Sequence, residues 1–154
     1  MSIDYYKMPF GAQLLLWTSR IIFYGNCRIS PNKYEIVNIA FEKVGIKKGS
    51  LLLKPFLYMI KGKRHFKLQR LCARYLNEQE INLINCIEDY KSSFLGNDCY
   101  INLWNLENEK ELFNLHATKL ACSFKDANLD TNLNSRYLEF NNYKNAQLTS
   151  RALH

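Results

Sequence analysis

The sequence predicts an all-α protein, a compact irregular bundle of about five helices with a polar C-terminal tail. Three observations lead there. Apolar residues recur at three- and four-residue spacing through several long segments. Glycine, asparagine and proline punctuate the gaps between those segments. Finally, 47% of the 154 residues are apolar, with ten Tyr, nine Phe and two Trp, which suits one packed core rather than a disordered chain. The expected division is a single helical domain over 1–126 and a polar tail over 127–154.

Each element follows from local signals. Phe10 to Tyr24 is apolar almost all round: Phe10, Leu14, Trp17, Ile21 and Tyr24 form one row, and Leu15, Leu16, Ile22 and Phe23 cover its flanks. Gln13 and Arg20, seven apart, mark a narrow wet stripe. Such a helix belongs at the centre of a bundle. Gly25-Asn26 stops it, and Ser30-Pro31 opens a second helix with a capping serine and proline at its first position. That helix buries Tyr34, Val37, Phe41 and Val44, and Gly45 ends it. Ser50 caps a third helix running to about Ile60; Pro55 either kinks it or moves its start to Lys54.

Gly62 to Leu76 reads as an ordered connector, because His65-Phe66-Lys67-Leu68 alternates like a short extended piece. Asn77-Glu78-Gln79-Glu80 is a capping box that starts a helix with Leu83, Ile87, Tyr90 and Phe94 inward. Gly96-Asn97-Asp98 breaks it, and a short helical turn is expected through Trp104. The last helix spans Glu107 to Phe124 with Phe113, Ala117, Leu120 and Phe124 on its buried side. Glu107, Glu109 and Glu111 at its start complement the positive end of the helix dipole. Beyond Asp126 the periodicity fades into asparagine-rich chain, docked at most through Tyr137, Leu138 and Phe140.

Two resemblances accompany these elements. Pro9-Phe10-Gly11-Ala12-Gln13-Leu14-Leu15-Leu16-Trp17-Thr18-Ser19-Arg20, with the later Leu76-Asn77-Glu78-Gln79-Glu80, resembles an uncharacterised family of small bacterial helical proteins. That likeness implies a helical frame over roughly Pro9 to Phe124 and brings no activity. Gly45-Ile46-Lys47-Lys48-Gly49-Ser50-Leu51 is similar to the turn of tetracycline-repressor-type regulators, whose following helix enters the major groove. The resemblance implies Lys47, Lys48, Ser50 and Lys54 as the DNA contact set. The fourteen-residue preceding helix and Pro55 within the would-be recognition helix depart from that pattern.

Charge is the strongest functional signal. Between Lys43 and Asn77 stand ten cations and no carboxylate, within a chain of net charge +7. The next stretch, Glu78 to Glu111, holds eight acids against Lys91 and Lys110. A segregated basic block marks an electrostatic footprint for an acidic macromolecule, protein or nucleic acid. Lys47, Lys48, Lys54, Lys61, Lys63, Arg64, Lys67 and Arg70 are the expected partner-binding residues, with Phe66 offered for base stacking. The structural alternative is a solvated connector whose charges pair with the acids from Glu78 onward. A peripheral membrane contact through Phe56, Leu57 and Tyr58 is a weaker alternative.

Other chemistry lacks a signature. The five cysteines are scattered with no C-x-x-C pair, which fits buried thiols in a reduced, cytoplasmic compartment. No glycine-rich phosphate loop, H-E-x-x-H or G-x-S-x-G pattern occurs. No catalytic, cofactor-binding or metal-binding residue is assigned. His116 reads as a partly buried, hydrogen-bonded imidazole, and no apolar run reaches the ~20 residues of a membrane-spanning helix.

Overall fold

A computed structural model describes residues 2–24, 32–62, 66–93, 100 and 103–133. Within them the chain is an all-helical bundle: a 3₁₀ turn at Tyr5–Lys7, then α1 (Phe10–Tyr24), α2 (Lys33–Glu42), α3 (Gly49–Lys61), α4 (Glu78–Ser93) and α5 (Glu107–Asp126). Helix α1 touches α2, α3 and α4, and α5 lies along α4 and α3. The central position expected for α1 follows from its apolar circumference.

Its buried face is rotated from the expected row. Leu14, Leu15, Thr18, Ile21 and Ile22 are inside, whereas Phe10 and Tyr24 are exposed. Arg20, expected in water, is only 1% exposed. Its guanidinium makes a two-pronged ion pair with Glu80, Nε to Oε2 at 2.8 Å and Nη2 to Oε1 at 3.0 Å. Nη1 donates to the carbonyls of Ala73 at 2.8 Å and Leu71 at 3.4 Å. Glu80 in turn accepts the backbone N–H of Gln69 at 2.8 Å and of Asn77 at 3.1 Å. A buried charge is tolerated when paired and hydrogen-bonded on every side, and this one is. The knot fastens α1 and the start of α4 to the connector between them.

The expected capping box is present, with Asn77 Oδ1 accepting from Glu80 N at 2.8 Å while Glu80 reaches back to Asn77 N. Residues 66–77 form the expected non-helical connector, with Phe66 and Leu68 inward and Lys67 outward. The connector also holds the N-terminus: Tyr5 N donates to Arg74 O and Leu76 N to Ile3 O.

Two helix starts differ from expectation. Helix α2 begins at Lys33, capped by Asn32, whose Oδ1 accepts from Tyr34 N and Glu35 N; Ser30-Pro31, the expected start, lies outside the described residues. Ser50 is not the cap of α3 but a buried residue inside it. Lys48 caps that helix with left-handed backbone (φ 55°), and Asn38 Oδ1 on α2 accepts from Ser50 N at 2.8 Å. A neighbouring helix thus supplies the acceptor that a capping serine would have provided. Gly49 is required by packing, since a Cβ there would lie 2.0 Å from the Phe41 ring. Helix α3 continues through Pro55; the proline has no N–H to donate toward Leu51 O, and Leu51 is 65% exposed, where water has access.

Helix α2 ends at Glu42, two residues before the expected Val44, and the turn that follows closes on the expected Gly45 (φ 90°) in a Schellman motif. Ile46 N donates to Phe41 O and Gly45 N to Glu42 O, and both Ile46 and Phe41 are buried. Helix α5 ends the same way with Asn128 (φ 58°) in the left-handed position and Leu129 N donating to Phe124 O. The chain then stays on the body: Leu129 and Thr131 are buried, and Lys91 Nζ donates to Leu129 O at 2.6 Å. Phe94, the glycine break at 96–98, Tyr137, Leu138 and Phe140 lie outside the described residues.

The core is aromatic at its α3–α4–α5 junction. Phe113 of α5 stacks on Phe56 of α3 (5.4 Å between centroids) and meets the edges of Tyr90 and Tyr100. Trp104 lies 4.7 Å from the same ring. Each such ring contributes roughly 1.5–3 kcal/mol of apolar burial, so α3 is anchored from inside and its other face is free to be polar.

Candidate partner-binding surface

That other face of α3 carries the basic block. Its exposed residues are Leu51, Lys54, Tyr58 and Lys61, at the three- and four-residue steps of one helical stripe. Lys47 and Lys48 are exposed in the turn that leads into it. From Lys48 to Lys61 the stripe runs about 20 Å at 1.5 Å per residue. No carboxylate occurs on α3 or in this turn.

Of the ten cations between Lys43 and Asn77, eight are described; Lys63 and Arg64 lie outside the described residues. Among the described residues one of the eight is ion-paired, Arg74, whose Nη2 lies 2.9 Å from Asp4 Oδ2. Lys43, Lys47, Lys48, Lys54, Lys61, Lys67 and Arg70 are exposed, and no described carboxylate pairs with them. The expectation that the block neutralises the acids from Glu78 onward therefore fails for these seven. Glu80 is taken by Arg20, and Glu88 by Lys91 at 3.6 Å.

The lysines of α3 are held by rings instead. Lys54 Nζ lies 4.8 Å from the Tyr34 ring centre and 5.6 Å from that of Tyr58. Lys61 Nζ lies 5.6 Å from Tyr58 and 4.9 Å from Phe23. Lys33 joins them, 5.4 Å from Tyr34, while donating to Ile22 O at the end of α1. The Tyr34 and Tyr58 hydroxyls share a hydrogen bond of 3.1 Å. That bond lowers the pKa of Tyr58 below the ordinary phenol value; burial opposes it, and Lys33, Lys54 and Lys61 add to the lowering. As the other partner, Tyr34 is raised.

Several residues take a different place in three dimensions from the one their sequence context suggests. Tyr34, expected in the core, is half-buried and belongs to this surface cluster. Phe66 is buried, with its ring 5.8 Å from Phe23 in an edge contact, so it has no face to offer a base. Phe56 and Leu57 are buried too, so that of the three residues expected at a membrane contact Tyr58 is the exposed one. Ser50 cannot touch DNA from its buried position. Lys67 and Arg70 are exposed on the connector, where Lys67 N donates to Gln79 Oε1 and Lys67 O accepts from Asn77 Nδ2. Lys33, Tyr34 and Tyr58 escape sequence reasoning as a group, because the two tyrosines stand 24 residues apart and nothing local links them.

Elsewhere the chemistry is sparse. Among the described residues no three His, Cys, Asp or Glu side chains gather in a metal-binding arrangement. His116 is half-buried, and burial with nearby Lys119 holds its pKa below the ordinary histidine value. No described helix is long and apolar enough to cross a membrane. Compared with protein families, curated proteins and solved structures, the chain matches none, so neither sequence resemblance gains support from a match.

Proposed function

We propose that the protein is a non-catalytic, cytoplasmic binding protein that engages an acidic macromolecule through the basic face of α3 and the adjoining connector. One observation carries this reading: seven described cations of the block face solvent with no described carboxylate paired to them. Unmatched charge of one sign on a rigid helix steers an oppositely charged partner and strengthens its encounter. Lys47, Lys48, Lys54, Lys61, Lys67 and Arg70 make the contact, joined by Lys63 and Arg64.

The test is binding to nucleic acid, anionic vesicles and acidic proteins at about 50 and about 200 mM salt, where a partner held by several phosphate contacts loses orders of magnitude in affinity. A protein that binds none of them in a salt-dependent way does not have this function.

The packing of α2 against α3 supports a second reading, a helix-turn-helix-type DNA regulator. Phe41 sits on Gly49 and Asn38 caps Ser50 across a turn that contains Gly45, which couples the two helices as that motif needs. Its contact set is Lys47, Lys48 and Lys54, without Ser50. This reading expects a dimer, a sequence preference on selection, and loss of binding in Lys48→Glu with the fold intact. Binding indifferent to sequence rejects it.

A further inference from the structure

The α3 face is more than a set of charges, because both lysines within the helix, Lys54 and Lys61, sit beside aromatic rings. We infer that this face is a binding site for single-stranded nucleic acid, with Tyr34 and Tyr58 as base-stacking platforms and Lys33, Lys54 and Lys61 as phosphate contacts. The inference rests on the acidic-partner reading above and names its ligand class.

Three features favour a single strand. Tyr58 is 41% exposed on a helix whose opposite side is buried against Phe113 and α1, so the ring is presented on a rigid support. The three ammonium groups lie 4.8–5.6 Å from the two ring centres and have no described carboxylate to hold them. Cation–ring contacts at exposed sites are weak, so the exposed Lys54 and Lys61 ammonium groups can move onto phosphates and leave the ring faces to bases. Alternating rings and cations along one track is what a flexible strand requires, since each nucleotide brings both a π-face and a negative charge. The stripe of about 20 Å suits a run of a few nucleotides.

The rival ligands fit less well. A duplex exposes phosphates and groove edges but keeps its base faces stacked, so it has nothing to lay on Tyr34 or Tyr58. A membrane surface needs protruding apolar side chains. On this face Phe56 and Leu57 are buried, Leu51 is the exposed aliphatic group, and the tyrosine hydroxyls pair with each other.

The experiment is fluorescence anisotropy with a labelled oligothymidylate of about 15 nucleotides, beside the matching duplex and anionic phosphatidylserine vesicles, across a salt series. Tight, salt-dependent binding to the strand is expected, with each phosphate contact adding about −0.7 to the logarithmic salt slope. In Lys54→Gln/Lys61→Gln the slope should become shallower by about 1.4. In Tyr58→Leu the affinity should fall about tenfold with the slope unchanged, the signature of lost stacking. A strand carrying 5-bromouracil should photo-crosslink to Tyr58 or Tyr34, a readout that needs no variant to fold. Preference for the duplex or for vesicles, an unmoved slope, or crosslinks confined to other regions overturns this inference and leaves the acidic-partner reading standing. Absence of salt-dependent binding to all three probes overturns this inference, and absence of salt-dependent binding to acidic proteins as well overturns both.

Discussion

Arg20 on α1 and Lys54 on α3 sit in equally apolar stretches, yet Arg20 is sealed inside by Glu80 while Lys54 faces water over two tyrosine rings. The difference lies in the partners within reach. Arg20 meets a carboxylate from α4 and two connector carbonyls, and together they replace the water that its guanidinium gives up. On α3 no described carboxylate pairs with the lysines, and they stay where solvent can reach them. The same charge therefore stabilises the fold in one place and leaves a surface for an outside partner in the other. Each region can be tested by breaking it.

The largest effect is expected at the buried knot. Arg20→Met leaves the buried Glu80 carboxyl without its partner and short of two donors, and should cost about 3–5 kcal/mol in a urea unfolding titration. Replacing both partners, as in Arg20→Met/Glu80→Leu, should not restore stability. Gln69 N, Asn77 N and the carbonyls of Leu71 and Ala73 would then lose their hydrogen bonds. A double variant as stable as the native chain would show that the knot is an ordinary ion pair replaceable by apolar packing.

Next comes the junction under the α3 face. Gly49→Ala forces a methyl group into the Phe41 ring and should destabilise the protein by about 1–3 kcal/mol. Because that junction aims α3, the same variant should weaken partner binding as well as lower the thermal midpoint. A neutral result would mean that Phe41 does not press on Gly49. Asn77→Ala removes one side of the capping box and should cost about 1 kcal/mol without altering binding.

Two smaller effects separate structural charge from surface charge. Arg74, hydrogen-bonded to Asp4, holds the Asp4 carboxyl below the usual carboxylate range. A carboxylate whose native pKa is depressed stabilises the fold above its unfolded pKa and loses that contribution as pH falls through its native pKa. The stability difference between the native chain and Asp4→Asn should thus be present at about pH 6 and vanish in strong acid. Lys54→Glu, by contrast, should change stability by no more than about 0.5 kcal/mol, since its side chain is exposed and unpaired with any described acid. The same substitution should sharply weaken binding, which is the clearest sign that the two kinds of charge have different roles.

Much of the architecture is readable from the sequence because it depends on near neighbours. Asn77 and Glu80 are three residues apart, so a capping box is visible as a pattern of letters. Gly45 and the alternation at Phe66-Lys67-Leu68 are equally local. The burial of Arg20 is not readable, because its partner stands 60 residues away, and an arginine in an apolar run looks like a wet stripe until Glu80 is beside it. Ser50 misleads for a related reason: the acceptor for its N–H comes from Asn38 on another helix, so its hydroxyl is not needed as a cap.

The chain's own order of residues determined the helical class, most helix boundaries, and the separation of positive from negative charge, since these follow from periodicity, caps and composition. Only the tertiary structure decided which charges would be internal and which would face outward. It also brought Tyr34 and Tyr58 together beneath the lysines of α3. The physical reason is that burial and electrostatic matching are properties of contacts in space, formed between side chains that no local pattern connects.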